Sequence, residues 1–143
     1  MKVLVTYYSK SGNTAAMAKV LSGALEQRGA EVVQKEAGQT TPEDLLSADA
    51  VAVGSPDYFS YVAGQVKTLF DEALSEKSKL SGKPGGCFSS HGGGARIKEP
   101  FEHLVEAVGL KLVAPCVLSH DAPAGKTVDE LHSLAAALCD AAG

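Results

Sequence analysis

The chain has 143 residues, with 13 lysines and arginines against 17 aspartates and glutamates, a formal net charge of −4 at pH 7. That length suits one domain, residues 1–143, and the mild, mixed charge offers neither a basic stripe for nucleic acid nor a basic amphipathic helix for a membrane surface. Three scattered cysteines exclude a disulfide framework and a short-spaced metal site, and the absence of a charged leader or a long apolar segment points to a cytoplasmic protein.

Lys2 to Tyr7 is an unbroken run of β-formers, the pattern of a parallel strand covered on both faces. From Asn13 to Arg28, apolar residues recur at three- and four-residue steps until Gly29 stops the helix. Glu31 to Glu36 alternates like an edge strand, and Pro42-Glu43-Asp44 suits a helix start. Ala50 to Gly54 returns to a buried strand, followed by a helical pattern from Val62 to Ser75. Gly85 to Phe88 reads as a central strand whose small residues let helices approach from both faces. Ile97 to Val108 is amphipathic, with Pro100 tolerable only in its first turn. Leu110 to Leu118 supplies a fifth strand, and Val128 to Ala141 a closing helix. Strands alternating with helices predict a three-layer, doubly wound α/β domain around a five-stranded parallel sheet of order 2-1-3-4-5. Ligands of such sheets bind beyond the strand carboxyl ends, where the order reverses between strands 1 and 3.

The run Ser9-Lys10-Ser11-Gly12-Asn13-Thr14 falls at that place, between the first strand and the first helix. Unpaired N–H groups and the positive end of a helix dipole make such a turn an anion site. The run matches neither the phosphate loop ending in Gly-Lys-Ser/Thr nor the Gly-x-Gly-x-x-Gly dinucleotide turn. Capping the helix would need one polar residue, whereas four side chains here can hydrogen-bond beside a glycine. Taken alone, the run leaves a nucleotide, a phosphorylated metabolite and FMN open.

The pattern Ser/Thr-x-Ser/Thr-Gly-x-Thr resembles the phosphate loop of flavodoxins and flavodoxin-like FMN proteins. Gly54-Ser55-Pro56-Asp57-Tyr58-Phe59, with Ala63 to Lys67, resembles the second flavin loop of the quinone-reductase branch, and Ser89-Ser90-His91-Gly92-Gly93-Gly94 resembles the third. The resemblance covers nearly the whole chain and implies FMN as cofactor. Ser9, Ser11 and Thr14 are expected to offer hydroxyls to phosphate, Gly12 and Asn13 their N–H groups, with Lys10 at the variable position. Tyr58 or Phe59 is expected to stack on the flavin, with backbone from Pro56 to Phe59 meeting its polar edge. Asp57 has two roles open, capping the next helix or lying near the ring. Ser89, Ser90 and the amides of Gly92, Gly93 and Gly94 are expected at the pyrimidine edge. His91 departs from the aromatic residue that many short flavodoxins carry here; it is either a proton donor or a solvated histidine. His120-Asp121 lies on the same edge, and the catalytic residues stay unassigned.

Two functions follow from the resemblance. One is an electron carrier that docks on redox partner proteins; the other is an NAD(P)H-dependent quinone reductase. The chain lacks the extra segment after the fourth strand that tetrameric reductases of this kind carry, which favours the carrier, as a monomer or small homo-oligomer. A flavin-free interaction or sensor module on the same fold is the third reading. A response regulator is excluded, because no acidic pair follows the first strand.

Overall fold

Val3, Leu4 and Val5 are sealed from solvent on both faces of β1 (Lys2–Tyr7), as an uninterrupted apolar strand requires. The computed structural model describes residues 1–143. Its parallel sheet runs β2 (Glu31–Glu36), β1, β3 (Ala50–Pro56), β4 (Pro84–His91), β5 (Lys111–Leu112), and β6 (Val117–His120) also pairs with β4. The predicted strand order is therefore the observed one.

A sixth, short strand is added beside β4, because the segment predicted as one strand over Leu110 to Leu118 is two short ones. β5 pairs with Pro84 and Gly85 at the start of β4, and β6 pairs with Phe88 to His91 at its end. Between them Pro115 has no N–H for the ladder. The next N–H, that of Cys116, donates to a Glu102 carboxylate oxygen at 2.8 Å. The chain thus leaves β4 for four residues and returns in time to place His120 beside His91.

Side chains alternate across the sheet into two cores. Leu4, Val51, Val53 and Cys87 face α2 (Pro42–Ser47), α3 (Gly64–Ala73), α4 (Lys77–Leu80) and α5 (Lys98–Ala107). Val3, Val5, Ala52 and Phe88 face α1 (Asn13–Gln27) and α6 (Lys126–Ala142). The expected close approach to β4 is present: a Cβ on Gly86 would stand 2.7 Å from Leu134 of α6. Pro100 falls in the first turn of α5, where its missing N–H costs nothing.

Polar groups secure the short α2. The Asp44 carboxylate accepts the Thr41 N–H at 2.9 Å and pairs with Lys35 at 2.9 Å. Burial pushes the Asp44 carboxyl up, but the Thr41 N–H and Lys35 outweigh it and hold it below the usual carboxylate range. At the other end, the Lys83 ammonium donates to the carbonyls of Leu45, Leu46 and Ala48. Burial lowers the pKa of that ammonium. Both devices anchor the segment entering β3, whose far end carries the second loop.

Candidate functional site

β1 ends at Tyr7, and the Tyr8 N–H donates to the Gly54 carbonyl at 3.1 Å, so the chain leaves the sheet beside β3. Gly12 then turns with φ of +98°, a left-handed conformation that favours glycine, and nothing lies within 4 Å of where its Cβ would be. The Ser9 hydroxyl accepts the Ala15 N–H at 3.1 Å, and Ala16 N–H reaches the Gly12 carbonyl at 3.0 Å. The N–H groups of Ser11, Gly12, Asn13 and Thr14 have no protein acceptor. No acidic residue occupies the first turn of α1. Four free donors therefore gather at the positive end of α1. The Thr14 hydroxyl is buried and lies 2.8 Å from that of Ser90.

The second loop is held by Ser55, which sequence reasoning left without a role. Its hydroxyl accepts the Ala63 N–H at 2.8 Å and donates to the Pro56 carbonyl at 2.8 Å. Ala63 precedes the first turn of α3, and no side chain caps that turn, so Asp57 does not take the capping role open to it. The Asp57 side chain instead leans toward the third loop, its Oδ2 standing 3.4 Å from where a Cβ on Gly94 would be. Asp57 N–H donates to the Ser90 carbonyl at 2.9 Å, and Tyr58 and Tyr61 exchange backbone hydrogen bonds at 2.9 and 3.0 Å. Phe59 and Ser60 between them have φ of 56° and 67°, the two positive values of a type I′ turn. At its tip the Phe59 side chain is fully exposed (104%). Tyr58 is half-buried, its ring edge-on to Tyr8 with centroids 6.2 Å apart. Burial raises the Tyr58 phenol pKa, and the neighbouring Tyr8 adds to it.

Ser89, Ser90 and His91 belong to β4 and not to the third loop, which begins at Gly92. Ser89 is fully buried, and its hydroxyl turns toward the Ser90 carbonyl. The His91 Nδ1 accepts the Gly93 N–H at 3.0 Å, so in the neutral ring the hydrogen sits on Nε2. Its ring stands edge-on to His120, with centroids 5.5 Å apart, and His120 Nδ1 lies 3.2 Å from the Asp121 carboxylate. The N–H groups of Gly92 and Gly94 have no protein acceptor.

All three loops open onto one cavity of about 200 Å³. Ser11 and Asn13 line it from the first loop, Pro56, Asp57 and Tyr58 from the second, and Ser90, His91 and Gly92 from the β4 end. Asp121 closes the rim. Ser9, Lys10, Gly12, Thr14, Phe59, Ser89, Gly93 and Gly94 are not among its lining residues. Three larger hollows contain none of the predicted residues: two along α5, of about 530 and 590 Å³, and one between Ala37 and the start of α3, of about 580 Å³. No group of three or more His, Cys, Asp or Glu side chains is placed to hold a metal ion, and no helix is long and apolar enough to cross a membrane.

The family model described as NADPH-dependent FMN reductase matches residues 33–128. The chain is 42% identical over 94 residues to a flavodoxin of Aquifex aeolicus, covering 64% of this chain and 51% of that protein. It is 33% identical over 113 residues to NAD(P)H dehydrogenase (quinone) 3 of Rhizobium meliloti, covering 64% and 53%. The chain thus spans about half the length of these relatives. Among solved structures, an archaeal flavodoxin superposes with a TM-score of 0.84 at 26% identity, over 99% of both chains. The two-electron reduced flavodoxin of Megasphaera elsdenii superposes with a TM-score of 0.82 at 28% identity, over 94% of this chain and 98% of that one.

Proposed function

Because this chain belongs to the flavodoxin-like FMN family, we propose that residues 1–143 form one domain that holds FMN non-covalently and passes electrons between cytoplasmic redox partners. The observation that carries this is the meeting of three sequence-distant loops on one cavity at the switch point between β1 and β3.

The residues present fit FMN. Four consecutive N–H groups, from Ser11 to Thr14, have no protein acceptor and would be satisfied by phosphate oxygens. The Ser11 hydroxyl and Lys10 add a donor and a positive charge at the same turn. In the second loop the N–H groups of Asp57 and Tyr58 are already committed, which leaves the Phe59 N–H for a ring's polar edge. Gly92 and Gly94 offer two more donors, and the half-buried Tyr58 or the exposed Phe59 supplies a face for stacking. Bound FMN supplies one- or two-electron transfer. The carboxylates of Asp57 and Asp121 disfavour added negative charge on a flavin ring in the cavity, while His91, with its Nε2 hydrogen, is placed to donate a hydrogen bond at the rim.

The short connection from β4 to α5, only six residues, holds no inserted segment and supports the carrier, as a monomer or small homo-oligomer. The similarity to NAD(P)H dehydrogenase (quinone) proteins supports the reductase as the second reading. Steady-state assay of the FMN-loaded protein with NADH or NADPH and a quinone separates them. Turnover below about 1 s⁻¹, under the ordinary enzyme range, is expected of the carrier. Saturable turnover well above that value would replace it with the reductase.

A further inference from the structure

Thr14 and Ser90 are 76 residues apart in the chain, yet their hydroxyl oxygens lie 2.8 Å apart and both side chains are buried. Thr14 stands in the first turn of α1 and Ser90 near the end of β4, so the pair joins the turn that would hold phosphate to the strand end that lines the cavity. Neither hydroxyl bonds to anything else in the protein.

A hydroxyl carries one hydrogen and two lone pairs. One hydrogen is shared between the two oxygens, and the other is free, which allows two arrangements. When Thr14 donates to Ser90, the Ser90 hydrogen is free to point into the cavity. When Ser90 donates to Thr14, the Thr14 hydrogen is free to point toward the first loop.

We infer that the Thr14–Ser90 pair is a hydroxyl relay whose direction is set by a flavin phosphate, making Ser90 a positioning residue for phosphate recognition. This rests on the FMN reading above. An anionic phosphate oxygen is the strongest acceptor within reach of the first loop, and hydrogen bonds to it are about twice as strong as neutral ones. It therefore selects the arrangement in which Thr14 points outward and Ser90 backs it with its own hydrogen, each bond polarising the next. Without phosphate, nothing selects one arrangement over the other. The chain in this way distinguishes a phosphorylated flavin from its dephosphorylated form partly through a residue of β4.

The test compares FMN and riboflavin affinities of flavin-free protein by fluorescence quenching. Were Ser90 only a ring-side group, Ser90→Ala would weaken both flavins equally. The relay predicts that the ratio of FMN to riboflavin affinity falls about fivefold, roughly the worth of one hydrogen bond. Thr14→Val is expected to lower the ratio as well, Ser90→Ala added to it to lower it no further, and Thr14→Ser to restore it. Equal losses for the two flavins in Ser90→Ala overturn the relay and leave the FMN reading standing. Wild-type protein that binds neither flavin overturns both. Should Thr14→Val fail to fold, Ser90→Ala alone decides. If riboflavin proves too weak to measure, additive losses of FMN affinity in the double variant overturn the relay.

Discussion

Gly54→Ala is expected to lower stability by about 1–3 kcal/mol, the usual cost of overpacking a core. A methyl group at this position would stand 2.1 Å from Cε2 and 2.4 Å from Cζ of Phe88. Phe88 is fully buried, sits opposite Gly54 in the β3–β4 ladder and belongs to the core beneath α1 and α6. Its ring is fully buried, so the clash has to be relieved inside the core. Gly54 also accepts the Tyr8 N–H at the mouth of the first loop, so FMN affinity is expected to fall along with stability. Phe88→Leu shortens the opposing side chain and should return part of the loss when combined with Gly54→Ala. Urea melts of the two single variants and the double variant check this. Strictly additive losses would show that the two residues do not compete for the same space.

Ser11→Asp is expected to weaken FMN about 100-fold and riboflavin by little. Ser11 lines the cavity and is exposed, and its N–H is one of the four free donors at the start of α1. A carboxylate placed there would repel a phosphate dianion held at this turn. At a separation of about 4 Å, repulsion runs from about 1 kcal/mol per charge pair in water to about 4 kcal/mol near a protein surface. Roughly 3 kcal/mol, summed over the two charges of the dianion at this exposed position, corresponds to the stated factor. Added salt should recover part of the loss, since exposed charges are screened over about 10 Å at 0.1 M. If FMN and riboflavin were weakened alike, Ser11 would lie at the ring and not at the phosphate.

Much of this architecture could be read from the residues, because it depends on local patterns. The apolar run from Lys2 to Tyr7, the hydroxyl-rich turn after it and the small residues of Gly85 and Gly86 each carry their own physical signature. What escaped depends on contacts between distant segments. Ser89, Ser90 and His91 look like the start of a polar loop, yet they extend β4 because Ser90 finds its partner in Thr14 and β6 pairs alongside. The fifth strand looks continuous from Leu110 to Leu118, and only the loss of the N–H at Pro115 together with the reach of Glu102 explains the break. Asp57 had two roles open, at the α3 terminus or near the ring, and the residue that does reach the start of α3 is Ser55, which receives the Ala63 N–H, a pairing across eight residues with no sequence signature. The I′ turn was illegible for another reason. Such turns ordinarily advertise themselves through glycine or asparagine, and here Phe59 and Ser60 adopt the two positive φ values. A Tyr-Tyr doublet at Tyr7 and Tyr8, directly before the first loop, was the available signal for the partner of Tyr58.

The central claim is that the three loops together form a site for a phosphorylated flavin. Fluorescence titration of the flavin-free protein with FMN tests it most directly, with riboflavin as the control. One FMN per chain is expected, with FMN bound at least about tenfold more tightly than riboflavin, the worth of roughly one charge-assisted hydrogen bond to phosphate. Protein that leaves FMN fluorescence unchanged, or that takes riboflavin as readily as FMN, would contradict the claim.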